Sequence, residues 1–197
     1  MPQPKLILAS GSAVRATLLR QAGLVFDIEN SRVDEDAIKA KSGESDIDVL
    51  AILLAEAKAL AVSATHKQAL VIGADQILSC NGERFDKPRH MDEARANLKI
   101  FCGRTHRLHS GIVLALDGKI IWRHSDHADL TMRRFSDKFL DQYLSVVGDK
   151  VMTSVGCYQL EGPGIQLFEK IDGDYFTILG LPLLALLDEL RARQVVL

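Results

Sequence analysis

Residues 6–23 read LILASGSAVRATLLRQAG, and this stretch decides how the first part of the chain folds. Residues 6–9 form a short, continuously apolar run, which is typical of a strand buried on both faces of a sheet. The small polar residues Ser10, Gly11 and Ser12 end this run. A helical pattern begins beyond them, with apolar residues at positions 14, 18, 19 and 22, and it stops at Gly23. The stretch therefore predicts a strand, a turn and a helix in close succession.

The rest of the chain continues this alternation of strands and helices and then changes to hairpins. The local signals are, in chain order, a helix cap at Asp46 or Asp48, a buried strand at residues 70–72, tight turns at Asn81-Gly82 and Asp117-Gly118, a helix cap at Asp92 and a late strand at residues 165–168. Early alternation followed by hairpins favours an α/β fold on a mixed sheet over a purely parallel, doubly wound one.

The length and composition limit the class of protein. No repeat, low-complexity tract or flexible linker divides the 197 residues, so we expect one domain over residues 1–197, with two lobes around a cleft as a variant of it. Apolar residues make up 47% and charged residues 25%, an ordinary globular balance. The net charge of −2 gives no global electrostatic reason to expect a nucleic-acid or membrane partner.

The cysteines and the first residues indicate the compartment. Cys80, Cys102 and Cys157 are far apart and form no CxxC pair, which argues against a disulfide framework and against a zinc site. The apolar run after the first five residues is too short for a signal-peptide core, and no other run approaches membrane-spanning length. We therefore expect a cytoplasmic protein.

The first candidate site is the turn at residues 10–15. Free N–H groups at the start of a helix favour an anion, and Arg15 in the first helical turn is unfavourable for the helix dipole unless an anion sits beside it. The alternative is that Ser10 or Ser12 only caps the helix and Arg15 is solvated. The phosphate-binding patterns GxxxxGK[ST] and GxGxxG are both absent.

The second candidate is Asp75, which we expect directly beyond the buried strand of residues 70–72, where catalytic carboxylates of open α/β sheets commonly lie. A carboxylate there can bind a divalent ion or accept a proton from water, or it can simply close a turn. Lys58 and Lys87 can each supply a point charge to a phosphate, although lone lysines are usually solvated.

Two further segments also leave two interpretations open. The cluster Asp34-Glu35-Asp36 is either a set of metal ligands or a solvated acidic loop. Residues 156–164 surround Glu161 with glycine and proline, and such a constrained loop either lines a pocket or only connects two elements.

Taken together and in their order along the chain, these motifs resemble those of the Maf family of nucleotide pyrophosphatases. The matching pieces are residues 6–15, Gly73-Ala74-Asp75, Lys87-Pro88, residues 102–106 and residues 156–183, which contain Ile171-Asp172-Gly173-Asp174-Tyr175 and Leu179-Gly180-Leu181-Pro182-Leu183. The resemblance covers nearly the whole chain. It implies an elongated α/β fold with a central mixed sheet, a cleft between two lobes, frequent homodimerisation, dependence on a divalent metal, and hydrolysis of a nucleoside triphosphate to the monophosphate and pyrophosphate.

The resemblance also implies roles for single residues. Asp75 looks like the family's catalytic aspartate, its proton acceptor, and with Glu35 it would hold Mg²⁺ or Mn²⁺. The residues expected to bind substrate are Ser10, Ser12, Arg15, Lys58, Gln76, Lys87 and Glu161. A non-catalytic nucleotide-binding regulator of septum formation is the alternative function.

The chain also departs from the family's common pattern. Where Ser-x-Ser-Pro-Arg-Arg is usual, residues 10–15 read SGSAVR, so the proline and one arginine are missing. Members acting on thymine or uracil nucleotides carry threonine and glutamine where this chain has Gln76 and Glu161, and the combination is more similar to the 7-methyl-GTP branch. A carboxylate such as Glu161 can accept hydrogen bonds from the N1–H and the amine of guanine. The sequence therefore favours a guanine-like base.

Overall fold

The computed structural model describes residues 4–196. Its strands are β1 (Lys5–Leu8), β2 (Asp27–Ile28), β3 (Ala69–Cys80), β4 (Glu83–Phe85), β5 (Thr105–Leu116), β6 (Lys119–Met132) and β7 (Phe168–Asp172). Its α-helices are α1 (Ala13–Gln21), α2 (Glu35–Ser42), α3 (Ile47–Ser63), α4 (Met91–Phe101), α5 (Asp137–Val147), α6 (Tyr175–Ile178) and α7 (Leu183–Ala192). Gly148–Thr153 and Pro163–Leu167 are 3₁₀-helices.

The strands form a mixed sheet in the order β2-β1-β3-β5-β6-β7, with β4 paired to β3. Strand β1 is parallel to β2 and to β3, and Leu6 is the register partner of Leu70. Strands β3 and β4 are antiparallel, and so are β6 and β7. The predicted α/β class with a mixed sheet is therefore confirmed.

The chain divides into two compact units. Among the described residues the first unit takes in 4–76, 109–126 and 174–196, and the second takes in 77–108 and 127–173. The single domain with a cleft between two lobes stays a prediction.

The core of the first unit has apolar layers on both faces of its strands. Side chains of a strand point alternately to opposite faces, so Leu6 and Leu8 pack with α1 and α7, whereas Ile7 packs with α3. Leu8 and Ile72 are fully buried. Burying a side chain of this size contributes about 1.5–3 kcal/mol, so this core supplies a rigid base for the ends of β1 and for the middle of β3.

The second unit contains a cluster of rings, the aromatic cluster, formed by Phe85, Phe101, His106, Tyr158 and Phe168. The rings of Phe101 and His106 lie 5.2 Å apart, and Tyr158 meets Phe168 edge-on at 4.8 Å. Nε2 of His106 lies 2.8 Å from the hydroxyl of Tyr158. Aromatic pairs in such geometry stabilise a protein beyond the contribution of the apolar area that they bury. This cluster is therefore a centre of packing in the second unit.

Several local predictions are confirmed. Ser12 caps α1 and Asp46 caps α3, since the side chain of each accepts backbone N–H groups of the first turn. Asn81 and Gly82 both have positive φ between β3 and β4, as a two-residue hairpin turn requires. These features depend on neighbouring residues only.

Other local predictions are wrong. The acidic segment predicted as a loop begins α2, because Asp34 accepts the N–H of Ala37 and so caps a helix. His90, and not Asp92, caps α4. Residues 165–168 mostly belong to the 3₁₀-helix Pro163–Leu167, and β7 begins at Phe168. Asp75 lies inside β3 rather than beyond its end. Within residues 4–196, no helix is both long and apolar enough to cross a membrane.

Candidate active site

The turn between β1 and α1 is fixed by its own serines. The backbone N–H of Ala9 donates to the carbonyl of Ile72, which ties the end of β1 to β3. Oγ of Ser10 accepts the N–H of Ser12 at 3.2 Å, and Oγ of Ser12 accepts the N–H of Arg15 at 3.4 Å. These bonds engage the N–H groups of Ser12 and Arg15, so an anion at the start of α1 would be held by the N–H groups of the two residues between them.

Two glycines in the strands let helix α3 approach the sheet closely. A Cβ added to Gly73 would lie 2.2 Å from the carbonyl oxygen of Ala55, and one added to Gly111 would lie 2.5 Å from the backbone of Ala51. Larger side chains would push the helix outward by ångströms. Because Lys58 lies one turn beyond Ala55 on this helix, the glycines determine how far its side chain reaches over β3.

Lys58 lies between two carboxylates. Its Nζ is 2.5 Å from Oδ1 of Asp75 and 2.7 Å from Oε1 of Glu35. Lys58 and Asp75 are both buried, and Glu35 is partly exposed at the start of α2. The structure thus brings together three of the predicted site residues from three separate elements.

Electrostatics at Asp75 are a balance of opposing causes. Burial raises the pKa of the Asp75 carboxyl, and the positive charges of Lys58 and Arg15 oppose that rise. Burial also lowers the pKa of Arg15, against the attraction of Asp75 and Glu35. A buried charge is tolerated only when it is paired and hydrogen-bonded, so Asp75 and its cationic neighbours Lys58 and Arg15 stabilise one another, whereas Glu35 repels the charged form of Asp75.

Arg15 is only 8% exposed, and it bonds to the protein itself. Its Nε donates to the carbonyl of Gly180 at 2.7 Å, and its Nη1 donates to the carbonyl of Ala74 at 2.8 Å and to Oγ of Ser10 at 3.2 Å. The alternative of a solvated Arg15 is therefore wrong. The guanidinium joins the first turn, strand β3 and the segment after α6.

The amide of Gln76 is also directed at protein atoms. Nε2 donates to the carbonyls of Thr177 and Ile178 at 2.9 and 3.2 Å, and to Oγ of Ser110 at 3.0 Å. Ser110 and Thr177 are fully buried. The residue after Asp75 is thereby fastened to the end of α6.

Lys87 and Glu161 belong to the second unit. Both are exposed: Lys87 follows β4, and Glu161 precedes the 3₁₀-helix Pro163–Leu167. Lys87 lines a polar cavity of about 460 Å³ together with Arg84, Asp86, Arg89, Glu93 and others. Their predicted roles stay predictions.

The donor set suits a hard divalent ion only in part. The carboxylate oxygens of Asp75 and Glu35 meet at Nζ of Lys58, which lies between them, and Mg²⁺ is commonly held by one or two carboxylates plus phosphates and water. Among residues 4–196 no group of three or more histidine, cysteine, aspartate or glutamate side chains has the arrangement of a metal site. Asp75 and Glu35 would thus supply at most two protein ligands to a divalent ion whose other ligands are phosphate and water.

Sequence reasoning missed the residues that position this site. Glycine inside a strand pattern is a known signal of close backbone approach, and Gly73 and Gly111 were open to that interpretation. Ser110 and Thr177 gave no local signal, because their role depends on contacts more than 30 residues away along the chain.

The comparisons with known proteins identify the family of this chain. The model of the Maf family, described as Maf-like protein, matches residues 5–193. A 7-methyl-GTP pyrophosphatase of Brucella suis is 53% identical over 193 residues, 96% of each chain. A nucleoside triphosphate pyrophosphatase of Paramagnetospirillum magneticum is 52% identical over 94% of this chain and 96% of its own, and one of Caulobacter vibrioides is 51% identical over 93% of each. Since the family model spans nearly the whole chain, and with it the turn, Lys58 and Asp75, the protein belongs to the Maf family.

Proposed function

We propose that this protein hydrolyses a nucleoside triphosphate between the α- and β-phosphates and releases the monophosphate and pyrophosphate. Relatives of about 50% identity over nearly their full length are named as pyrophosphatases of such nucleotides. The observation that carries the proposal is the buried Asp75, held by Lys58 at 2.5 Å in the same unit as the turn of residues 10–12. A non-catalytic regulator would not require a buried carboxylate in this position.

In the proposed reaction, Asp75 accepts a proton from a water molecule as that water's oxygen bonds to the α-phosphorus. The bond between the α-phosphorus and the bridging oxygen breaks, and its electrons leave with pyrophosphate. A positioned base of this kind contributes about 10²–10⁴-fold in rate. Ser10 and Ser12 present the helix start to a phosphate, and Lys58 supplies a positive charge beside it.

We further propose that Asp75 and Glu35 bind Mg²⁺ or Mn²⁺ when substrate is present. Such an ion neutralises charge on the triphosphate and on the leaving pyrophosphate. One carboxylate cannot easily be both a tight metal ligand and a general base. Glu35 therefore takes the larger share of the metal, since it is the more exposed of the two.

For the base we propose a guanine-like ring, with 7-methyl-GTP as the first substrate to test. The support is that several relatives bear the name 7-methyl-GTP pyrophosphatase, and that Glu161 can accept the N–H groups of guanine. Lys87 would supply a second positive charge to the phosphates.

The test is a panel of GTP, 7-methyl-GTP, ATP, CTP, UTP and dTTP with magnesium or manganese, in which pyrophosphate and inorganic phosphate are measured separately. We expect pyrophosphate as the product, and the fastest turnover with a guanine nucleotide. Nucleotide binding without cleavage would establish the regulator instead, and release of inorganic phosphate would indicate a different phosphohydrolase. A strong preference for UTP or dTTP would contradict the assignment of Glu161.

We propose a cytoplasmic location, and we expect neither a nucleic acid nor a membrane as a partner. Homodimerisation stays a prediction, which the mass of the purified protein in solution will check.

A further inference from the structure

Residues 154–162, called the Glu161 loop below, connect the two 3₁₀-helices of the second unit and are well buried for a connecting segment. Cys157 and Tyr158 are both buried, whereas Glu161 is the one exposed residue of the loop. Loops normally run over the surface, because a buried backbone needs hydrogen-bond partners. Specific contacts must therefore hold this loop in the interior and leave Glu161 at its surface.

Tyr158 makes such contacts with both its backbone and its side chain. Its N–H donates to Oγ of Ser154 at 3.1 Å, and that hydroxyl donates to the carbonyl of Tyr158 at 2.6 Å. The hydroxyl of Tyr158 lies 2.8 Å from Nε2 of His106 in β5. A Cβ added to Gly156 would lie 2.2 Å from Cε1 of the Tyr158 ring, so the loop backbone packs directly on this ring. One residue thus ties the loop to the sheet.

The other member of this hydrogen bond, His106, has a single polar contact. Its ring is 1% exposed within the aromatic cluster, and among residues 4–196 its Nδ1 has no hydrogen-bond partner. An unpaired polar atom in an apolar interior is unfavourable, and a phenylalanine ring would pack there without it. What histidine adds at this position is Nε2, and Nε2 contacts the hydroxyl of Tyr158. The polar function of His106 is therefore its bond to the loop.

The backbone beside Tyr158 is strained. Cys157 has φ of +59°, in the left-handed region that residues other than glycine rarely adopt. Its carbonyl accepts the hydroxyl of Tyr143, from α5, at 3.1 Å. Such a conformation persists only where the surrounding structure holds it, and it is concentrated at functional sites. The strain supports a placing role for this loop over a merely connecting one.

The turn that carries Glu161 follows directly. The N–H of Gly162 donates to the carbonyl of Gln159 at 3.2 Å and closes the turn. A Cβ added to Gly164 would lie 2.5 Å from the same carbonyl oxygen, so the chain folds back closely on Gln159. Because Gln159 is bonded covalently to Tyr158, the position of the tyrosine determines the position of the turn.

We infer that the hydrogen bond between His106 and Tyr158 fixes the Glu161 loop, and that both are positioning residues for recognition of the base by Glu161. The inference rests on the proposed function, because it takes Glu161 as the acceptor of the N–H groups of guanine. A carboxylate discriminates between bases most strongly when it is held in place before binding, since ordering a free loop opposes binding. His106, Tyr158 and Glu161 all belong to the second unit.

The experiment measures kcat and KM with UTP and with the guanine nucleotide that wild type cleaves faster. In Tyr158→Phe the ring remains against Gly156 and only the hydroxyl is lost. We expect the preference in kcat/KM for the guanine nucleotide to fall by about tenfold, because a hydrogen bond to a charged group contributes about that factor or more. Both constants for UTP should stay within about threefold, since the phosphate contacts are unchanged. Glu161→Gln should lower the preference at least as much.

A second measurement needs no nucleotide. Amide hydrogen exchange at Tyr158 and Gly162, whose N–H groups donate to Ser154 and Gln159, should become faster in Tyr158→Phe. We expect about tenfold, because the loss of one hydrogen bond shifts a local opening equilibrium by about that factor. If Tyr158→Phe does not fold, His106→Phe removes the same bond from its other side and replaces it.

Two variants serve as controls. Tyr175→Phe removes the hydroxyl of an exposed tyrosine, and Cys80→Ala shortens a buried side chain of β3 within the second unit. The first controls for the chemical change and the second for a general loss of stability. Neither should change the preference for the guanine nucleotide or the exchange at Tyr158 and Gly162.

The outcomes separate positioning from simple packing. Faster exchange with an unchanged preference, or with an equal fall of kcat/KM for both nucleotides, would show a structural role only and would overturn the inference. Unchanged exchange in Tyr158→Phe would overturn it as well, because the loop would then be fixed without the bond. If wild type releases no pyrophosphate, the proposed function fails, and if Glu161→Gln keeps the wild-type preference, the role of Glu161 fails. In both cases exchange still decides whether the bond fixes the loop.

Discussion

Each compact unit buries a titratable side chain, but the two side chains have opposite surroundings. Asp75 in the first unit is 6% exposed and lies against Lys58, with Arg15 and Glu35 as further charged neighbours. His106 in the second unit is 1% exposed and lies among the rings of the aromatic cluster. One interior is ionic, and the other is nearly apolar.

Burial pushes both groups towards their neutral forms and sets the direction of both pKa shifts, while the charged neighbours oppose it. Burial raises the pKa of Asp75, which Lys58 and Arg15 oppose, and it lowers the pKa of His106 to about 4, which Asp129 opposes. His106 is therefore neutral at physiological pH and serves packing. Cationic partners surround the carboxylate that we propose as the base, whereas His106 lies among rings, and this difference leads to four tests.

The largest effect is expected for Asp75→Asn. Asparagine keeps the shape but cannot accept the proton, so pyrophosphate release should fall by about 10²–10⁴-fold. The fold should persist, because Lys58 keeps its contact with Glu35. Turnover is measured at saturating nucleotide, with Asp149→Asn at an exposed position as the matched control. Near-normal turnover in Asp75→Asn would remove the proposed mechanism.

The second-largest effect is expected for Gly73→Ala. This substitution moves Lys58, the ionic partner of Asp75, without changing any charged residue. The added Cβ would lie 2.2 Å from the carbonyl of Ala55, so α3 and Lys58 must shift. We expect turnover to fall by about 10²-fold, as for a misplaced catalytic group, and the melting temperature to fall as well.

Gly162→Ala is the matched control for stability, because its Cβ would meet its nearest atom at 3.7 Å and should leave the melting temperature nearly unchanged. Unaltered activity in Gly73→Ala would mean that the distance of α3 from the sheet does not determine where the ammonium of Lys58 lies.

The helix caps and tight turns could be predicted from the sequence, and the ionic network around Asp75 could not. Ser12, Asp46 and the Asn81-Gly82 turn were predicted because caps and tight turns depend on a few adjacent residues. Gly73 hid the continuity of β3 through Asp75, since glycine usually weakens a strand pattern.

The contact between Glu35 and Lys58 depends on how α2 meets α3, and no local pattern encodes it. The acidic segment was therefore expected to be a loop, although Asp34 caps a helix there. Resemblance to the family supplied the role of Glu35, but not the ammonium that joins it to Asp75. Long-range placement is set by packing, which a single sequence does not display.

The third test concerns the apolar interior and pH. The pKa of His106 is lowered from 6.5 to about 4, so the unfolded chain binds a proton at a pH where the folded chain does not. The contribution of neutral His106 to the free energy of unfolding is complete above about pH 6.5, and it is lost as the pH falls from there towards 4. The shift corresponds to about 3 kcal/mol.

His106→Phe removes this titration and keeps a ring in the cluster. The free energy of unfolding of both proteins is measured with urea from pH 7.5 to pH 4. As the pH falls, wild type should lose about 3 kcal/mol more than the variant. The lost hydrogen bond to Tyr158 adds only a constant offset. A difference that does not change with pH would mean that His106 is not buried in its neutral form.

The smallest effect compares one serine cap from each unit. Ser12 caps α1 by accepting the N–H of Arg15 at 3.4 Å, and Ser136 caps α5 by accepting the N–H of Phe139 at 3.2 Å. Replacing either serine by alanine should lower the free energy of unfolding by about 1 kcal/mol, which urea unfolding measures.

Only Ser12 lies in the proposed phosphate turn. A hydrogen bond to a charged group contributes about 1.5–3 kcal/mol, so Ser12→Ala should also lower kcat/KM by about tenfold or more, whereas Ser136→Ala should not. Equal kcat/KM in the two variants would make Ser12 a helix cap alone, and the phosphates would then be held by backbone N–H groups and lysines.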